Sequence, residues 1–341
     1  MKFLDLFAGI GGFRLGMERA GHECVGYVEI DKFARKSYQA IHDTEGEWTR
    51  EDITKVTDDE WRELCGTVDI ICGGFPCQSF SIAGKRLGFE ETRGTLFFEI
   101  ARAAKQIQPR LLFLENVKGL LSHNKGETFA TILTALHELG YDAEWRVLNS
   151  KDFGVPQNRE RVFIVANLRE SGGREIFPFG EASRTADESR VIANTLTARY
   201  PYNQREGTYI ETTRKSEQVM PVLTKVYSDE GISPTLTTNK GEGQKVAIIQ
   251  KARGYNKGGK HDIAPTLSSS SWQENNLLQE GNFRIRKLTP RECWRLQGFP
   301  DWAFDRATEV NSNSQLYKQA GNSVTVNVIE NIAKLFKEEQ A

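Results

Sequence analysis

The chain has 341 residues, 38% hydrophobic and 27% charged, and its 45 basic and 46 acidic side chains leave a net charge of −1. That length amounts to roughly two domains of ~150 residues with a substantial core, which excludes disulfide- or metal-stapled miniproteins. A mean hydropathy of −0.51, with no run near the ~18 apolar residues of a membrane span, excludes transmembrane classes as well.

Met1-Lys2-Phe3-Leu4-Asp5 lacks the charged, apolar and small-residue order of a secretory signal, so a cytoplasmic protein is expected. The five cysteines, Cys24, Cys65, Cys72, Cys77 and Cys293, are odd in number and contain no C-x-x-C pair. A disulfide framework or a structural zinc site is therefore not expected.

From Lys2 to about Asn167, short apolar runs alternate with amphipathic stretches. Lys2–Phe7, Cys24–Glu29, Val68–Cys72, Leu111–Glu115 and Arg161–Ala166 read as strands, which predicts a mostly parallel, helix-covered sheet. Leu96 to Ile107 and Phe129 to Leu139 carry apolar residues at helical spacing and stop before Pro109 and at Gly140, so both are expected helices. After Leu168 the texture changes. Ser171 to Asn282 is rich in Gly, Ser, Thr and Asn and predicts a smaller, irregular β-rich lobe. Within it Ile192-Ala193-Asn194-Thr195-Leu196-Thr197, Ile232-Ser233-Pro234-Thr235-Leu236-Thr237 and Ile263-Ala264-Pro265-Thr266-Leu267-Ser268 repeat one phrase, read as a strand-turn element. Lys240 to Lys260 holds six basic residues against the single acid Glu242, among five glycines. That stretch is either a solvated loop or a surface for a polyanion. Leu316 to Phe336 returns to a helical period, a terminal helix that docks on the first lobe. The expected units are 1–170, 171–314 and 315–341.

The first strand runs through Asp5-Leu6-Phe7-Ala8-Gly9-Ile10-Gly11-Gly12 straight into a helix, which puts backbone N–H groups at a helix N-terminus beside the sheet's carboxyl edge, a nucleotide or nucleoside cradle. The third glycine of the dinucleotide fingerprint G-x-G-x-x-G falls at Arg14, so the loop departs from the NAD pattern. Glu29 ends the second strand, where a carboxylate accepts hydrogen bonds from ribose hydroxyls, and Asp52 is placed for an exocyclic amine. Together these features describe a site for an adenosine-bearing cofactor.

Gly73-Gly74-Phe75-Pro76 breaks the next strand and holds Cys77 in an exposed turn at the same edge, whereas Cys72, inside the strand, reads as buried and inert. Phe113-Leu114-Glu115-Asn116-Val117 delivers a carboxylate there too.

These segments, in this order, resemble the bacterial and phage DNA (cytosine-5)-methyltransferases. The resemblance runs nearly end to end: Asp5-Leu6-Phe7-Ala8-Gly9 with Gly11-Gly12, Gly74-Phe75-Pro76-Cys77-Gln78, Arg93-Gly94-Thr95-Leu96, Glu115-Asn116-Val117, Gln157-Asn158-Arg159-Glu160-Arg161, Arg286-Lys287-Leu288-Thr289-Pro290-Arg291-Glu292-Cys293 and Gly321-Asn322-Ser323-Val324. The resemblance implies an α/β, Rossmann-like S-adenosylmethionine-dependent fold for 1–170, a target recognition domain over 171–314 and a returning C-terminal helix over 315–341.

It implies roles as well. Cys77 would attack C6 of cytosine, Glu115 would hydrogen-bond N3 and the exocyclic amine, Arg161 would hold O2, and Arg159 would help place the base and its phosphate. S-Adenosyl-L-methionine would lie against Phe7, Ala8, Gly9, Ile10, Gly11 and Gly12, with Phe7 stacked on its adenine, Glu29 at its ribose followed by Ile30 as a stacking wall, and Asp52 at the adenine N6 with Ile53 next to it. Gly74, Pro76, Leu96 and Asn322 would lie at its amino-acid end, with Val324 among the cofactor-binding residues. Double-stranded DNA, with the target base flipped, would meet Gln78, Ser81 and Lys85, and its sequence would be read by Arg253, Tyr255, Asn256 and Thr266. A monomer is expected, with any cognate restriction endonuclease acting separately. Ile30 replaces the family's usual aromatic residue, and Ala83 stands where a hydroxyl residue is common.

An NAD-dependent oxidoreductase would explain the sheet and loop but leave Cys77, Glu115 and Arg161 idle. A catalytically dead DNA-binding module has no need of the thiol and carboxylate. A tRNA cytosine-5 methyltransferase would share the motifs, and the long variable stretch favours DNA over it.

Overall fold

The computed structural model describes residues 1–76, 96–169, 177, 258–266 and 288–336, together with the strand backbones at 246–250, 276–280 and 284–287. Cys77, Gln78, Ser81, Lys85, Arg253, Tyr255, Asn256 and the phrases at Thr195-Leu196 and Thr235-Leu236 lie outside the described residues.

In the first lobe β1 (Lys2–Leu6), β2 (Glu23–Val28), β3 (Trp48–Arg50), β4 (Ile70–Gly74), β5 (Leu111–Val117), β6 (Tyr141–Asn149) and β8 (Glu160–Leu168) form one sheet in the order β3-β2-β1-β4-β5-β8-β6. The pairs from β3 to β5 are parallel, and β8 runs antiparallel to both β5 and β6. The chain builds outward from β1 through β2 to β3 and then returns to the other side of β1 as β4. The switch between β1 and β4 opens a crevice at the strands' carboxyl ends, where open α/β sheets bind ligands.

The central strands are buried on both faces, which is why Ile70 to Cys72 and Leu111 to Leu114 read as continuous apolar runs, while in β1 Phe3, Leu4 and Leu6 flank a fully buried Asp5. One face is covered by α4 (Leu96–Ile107) and α5 (Glu127–Glu138) through Phe97, Ile100, Ile132 and Leu136. On the other, α1 (Gly12–Arg19) and α9 (Val326–Ala333) pack Phe13 and Met17 against Val328 and Ile329.

The strands β3 and β6 escape the apolar-run criterion because they are the two sheet edges, half-buried and polar in composition. The C-terminal helical pattern is two helices, α8 (Asn313–Asn322) and α9, separated by extended backbone at Ser323 and Thr325. The break has a packing reason. A Cβ on Gly12 would lie 2.7 Å from Ser323 Oγ and 2.9 Å from Val324 Cγ2, so the turn is seated directly on the start of α1.

Helices α6 (Pro290–Leu296) and α7 (Asp301–Val310), placed by sequence in the small domain, share a core with the first lobe. Trp294, Phe299, Phe304 and Leu316 pack with Ile10 of the loop after β1, Leu15 of α1, and Ala34 and Ile41 of α2 (Lys32–Ile41). The expected boundary after residue 314 falls in the first turn of α8. One sequence does not reveal which core an amphipathic helix enters.

The β-rich part contains β9 (Val246–Gln250), β10 (Gly259–His261), β12 (Asn276–Glu280) and β13 (Arg284–Lys287) in the antiparallel order β10-β9-β12-β13. The basic glycine-rich stretch is thus partly strand, with β9 and β10 paired through Gln250 and Gly259. The phrase at Ile263–Thr266 supplies β11 (Ala264–Pro265), which pairs in parallel with β7 (Gln157–Asn158) and so joins the two parts of the protein.

Candidate active site

The loop after β1 is shaped by left-handed backbone at Phe7, Gly9 and Gly11. Phe7 pays a steric cost for this conformation, whereas the two glycines do not. The Gly11 N–H donates to the Ala8 carbonyl (2.8 Å) and the Ala8 N–H to the Val28 carbonyl (3.0 Å), tying the loop to the end of β2. Ile10 is buried in the core shared with α6 and α7, so it faces that core and leaves its backbone to the loop.

Glu29 is buried, and both of its oxygens are held by peptide donors, Oε2 by the Gly9 N–H and Oε1 by the Asp31 N–H, each at 2.7 Å. Burial pushes its pKa up and these two bonds oppose the shift. Beside it Ile30 is 69% exposed, an apolar side chain open at the carboxyl edge. Asp52 caps the turn that follows β3, accepting from the Thr54 N–H (3.1 Å) and hydroxyl (2.7 Å), and the Thr54 hydroxyl is the main reason its pKa is lowered. Ile53 is buried.

His42, which the sequence did not single out, braces the loop from behind. A Cβ on Gly11 would fall 2.0 Å from His42 Nε2, and burial holds the imidazole neutral, down at about 3.

On the other side of the switch, Gly74 of β4 pairs in register with Glu115 of β5, and Val117 pairs with Arg161 at the start of β8. Because β8 is antiparallel, its first residues arrive at the carboxyl edge. Arg161 Nε lies 3.0 Å from Glu115 Oε1. Burial raises the pKa of Glu115, opposed by Arg161 and then Arg159. A Cβ on Gly74 would come within 2.9 Å of Glu115 Oε2, so the absent side chain leaves room for the carboxylate. Asn116 donates from Nδ2 to the Phe75 carbonyl (2.8 Å), anchoring the backbone that leads to Cys77. Pro76 is exposed and Leu96 partly buried at the two described ends of that segment.

Arg159 sits deeper than its expected role suggests, 3% exposed and donating from Nη2 to the carbonyls of Gly321 (3.2 Å) and Ser323 (2.8 Å). Burial lowers its pKa, yet a guanidinium remains a cation at neutral pH. It braces the turn that presents the exposed Asn322 and the buried Val324. Thr266 is exposed, with its hydroxyl donating to the Asn158 carbonyl (2.8 Å). Cys72 is fully buried, with its thiol pushed well up by burial, and Cys24 and Cys293 are buried with thiols at about 12. None of these three offers a reactive thiolate.

The sequence model described as C-5 cytosine-specific DNA methylase matches residues 1–338. The chain belongs to that family. The methylase is 39% identical to the type II methyltransferase M.HpaII of Haemophilus parainfluenzae, over 99% of its own length and 89% of the relative's. It is 33% identical to the orphan methyltransferase M.SPRI of Bacillus phage SPR, over 98% and 97% of the two chains. Its fold is similar to that of the S. pombe Dnmt2 methyltransferase, with a TM-score of 0.60 at 18% identity and 98% of each chain covered. The methylase therefore has the S-adenosylmethionine-dependent, Rossmann-like fold and acts as a DNA cytosine-5 methyltransferase. No helix among the described residues is long and apolar enough to cross a membrane, and no cluster of His, Cys, Asp or Glu among them is fit to hold a metal.

Proposed function

We propose that the enzyme methylates C5 of a flipped-out cytosine within a specific duplex DNA sequence, with Cys77 as nucleophile and Glu115 and Arg161 at the base. The carrying observation is the Glu115–Arg161 ion pair at 3.0 Å, with Glu115 in register with Gly74, the residue three before Cys77 in sequence.

S-Adenosylmethionine would supply the methyl group as an electrophilic sulfonium substituent, and the residues present fit it. Gly9 has no atom within 4 Å of where a Cβ would stand and so allows close approach of a ligand to backbone, whereas Gly11 and Gly12 make room for His42 and the 323–324 turn. Each oxygen of Glu29 can take a second hydrogen bond, here from a ribose hydroxyl. Ile30 offers an apolar surface to the adenine, with Asp52 beyond it. Asn322 and Val324, together with Gly74, Pro76 and Leu96, border the amino-acid end.

Attack by the Cys77 thiolate on C6 breaks the ring's aromaticity and makes C5 nucleophilic. Glu115 stabilises the charge that appears at N3 and the exocyclic amine. Glu115 does this in its protonated form, donating its proton to N3 as the thiolate adds and accepting from the exocyclic amine, in keeping with the pKa that burial raises. After C5 is methylated, loss of the C5 proton expels the cysteine thiolate, N3 returns its proton to Glu115, and the ring is restored. The target base reaches this site only outside the helix stack. Residues 171–285 read the sequence. Arg253 and Asn256 suit guanine and adenine edges and Tyr255 the space a flipped base leaves, while Gln78, Ser81, Lys85 and Thr266 face the DNA.

The test supplies purified protein with radiolabelled cofactor and either duplex DNA or tRNA, then repeats the DNA reaction with Cys77→Ala and with duplexes containing 5-fluorocytosine. Label on DNA, loss of turnover by at least about a thousandfold in Cys77→Ala, and a covalent adduct with the fluorinated duplex are expected. An active Cys77→Ala enzyme overturns the mechanism, and label on tRNA alone overturns the substrate.

A further inference from the structure

Five side chains of this lobe, Ser150, Gln157, Arg159, Gln297 and Thr325, are polar and at most 3% exposed, and they lie where three separate parts of the chain meet. Burying that many polar groups is costly unless they satisfy one another.

Thr325 is the N-cap of α9, a position where a threonine hydroxyl ordinarily accepts from the helix's own N–H groups, yet its side chain makes no capping bond. Instead its Oγ1 lies 3.1 Å from Gln297 Oε1 and 2.8 Å from Ser150 Oγ. The Gln297 amide is in turn 3.4 Å from Gln157 Oε1, and Ser150 binds the Arg159 carbonyl through its N–H (3.0 Å) and its Oγ (3.3 Å). In this arrangement the Gln157 amide nitrogen is buried with no partner.

The two ends of an amide are interchangeable in shape, and the choice between them follows the hydrogen-bond network. Turning both glutamines over gives a chain in which every proton points one way. Gln157 then donates to Gln297, Gln297 to Thr325, Thr325 to Ser150, and Ser150 to the Arg159 carbonyl. That orientation pairs the Gln157 amide nitrogen, leaves its Oε1 in the position without a partner, where an unpaired acceptor is better tolerated than an unpaired donor, and gives each hydroxyl one donor and one acceptor.

The ends of this relay matter for its purpose. At one end the backbone of Gln157 carries β11 from the β-rich part, with the Ala264 N–H donating to the Pro156 carbonyl (3.0 Å). At the other, Arg159 holds the carbonyls of Gly321 and Ser323 and is followed by Arg161, the partner of Glu115. We propose that Thr325 is a positioning residue of the methylase: through Ser150, Gln297 and Gln157 its hydroxyl fixes the Arg159–Arg161 strand against the 321–324 turn. The proposal rests on the reading that Arg161 faces the target base. It makes Thr325 matter for turnover, through the placement of Arg161, more than for holding the cofactor.

The experiment compares Thr325→Val, which keeps the shape and removes the hydroxyl, with Thr325→Ser, which keeps the hydroxyl. Turnover, KM for S-adenosylmethionine and for duplex DNA, and Tm are measured on the full chain. Thr325→Val should lower kcat about tenfold while changing either KM by less than about threefold, and Thr325→Ser should restore kcat to within about twofold of wild type. Ser150→Ala breaks the same link from the other side and carries the same expectation should Thr325→Val fail to fold. Wild-type kcat in Thr325→Val or Ser150→Ala overturns the proposal, as does a Thr325→Ser enzyme as slow as the valine variant. Arg161→Ala is measured in parallel. If it turns over normally, the reading of Arg161 falls and the proposal with it, whereas a slow Arg161→Ala beside a normal Thr325→Val overturns the proposal alone.

Discussion

Two buried glutamates stand at the same sheet edge, on opposite sides of the β1/β4 switch, and they are held in different ways. Glu29 is gripped by two peptide N–H groups, whose positions follow from the backbone of the glycine loop and the first residues after β2. Glu115 is held by a guanidinium on a neighbouring strand. A carboxylate fixed by peptide donors has its geometry set before any ligand arrives. One fixed by a side chain can exchange that partner for a base edge, because both long side chains have rotamers to spare. On the proposed assignment, the cofactor half is thus preorganised and the target half able to re-pair.

The sharpest way to break this comparison is Glu115→Gln, which preserves shape, removes the charge and leaves Arg161 without its counter-ion. Turnover should fall about 10²- to 10⁴-fold with S-adenosylmethionine affinity within about threefold of wild type. An equal loss of cofactor affinity, read by calorimetry, would mean that the two glutamates serve one site.

A smaller effect is expected on the other side. Glu29→Ala should weaken S-adenosylmethionine about ten- to hundredfold. Glu29→Gln should be no milder, because an amide nitrogen would face a peptide N–H that needs an acceptor. Unchanged affinity in both variants would remove Glu29 from the cofactor site.

The smallest effect concerns the support behind the glycine loop. The His42 imidazole has its pKa lowered to about 3 in the fold, mainly by burial and then by Arg14, against an unfolded value near ~6.5. Below ~6.5 the unfolded chain takes up this proton before the folded one, so the stability held by neutral His42 is present above that pH and lost as pH falls towards 3. His42→Phe, which keeps a ring against Gly11 but cannot titrate, should show a flatter decline of Tm between pH 6.5 and 4. Parallel curves for the two proteins would assign the acid sensitivity elsewhere.

Much of the fold was legible because buried parallel strands are written as unbroken apolar runs. Glycines at forced backbone positions and acids at strand ends marked the carboxyl edge in the same direct way. The edge strands β3 and β6 were not legible, since a half-buried strand lacks that run. The break at Ser323 to Thr325 was missed although Gly321-Asn322 stand just before it, because the apolar pattern resumes at once with Val324 and Val326, and the close approach of Gly12 explains it. Arg159 looked like a second base-facing cation because spacing shows neither depth nor the carbonyls a guanidinium meets. His42 and Thr325 carried no signal, as each acts on residues brought near only by tertiary packing.

The reversed direction of β8 also decides where the chain departs. Arg161 enters at the catalytic edge, so Leu168 and Arg169 leave at the opposite one, where their N–H groups bond the Arg110 and Gly140 carbonyls at the starts of β5 and β6. The segment that follows is thus spliced onto the scaffold some nine residues of strand away from the chemistry. On the proposed reading that residues 171–285 recognise the target, extra length or a different reader can be inserted there without moving the arginine that faces Glu115. A scaffold wired in this way can acquire new sequence preferences while keeping a single reaction.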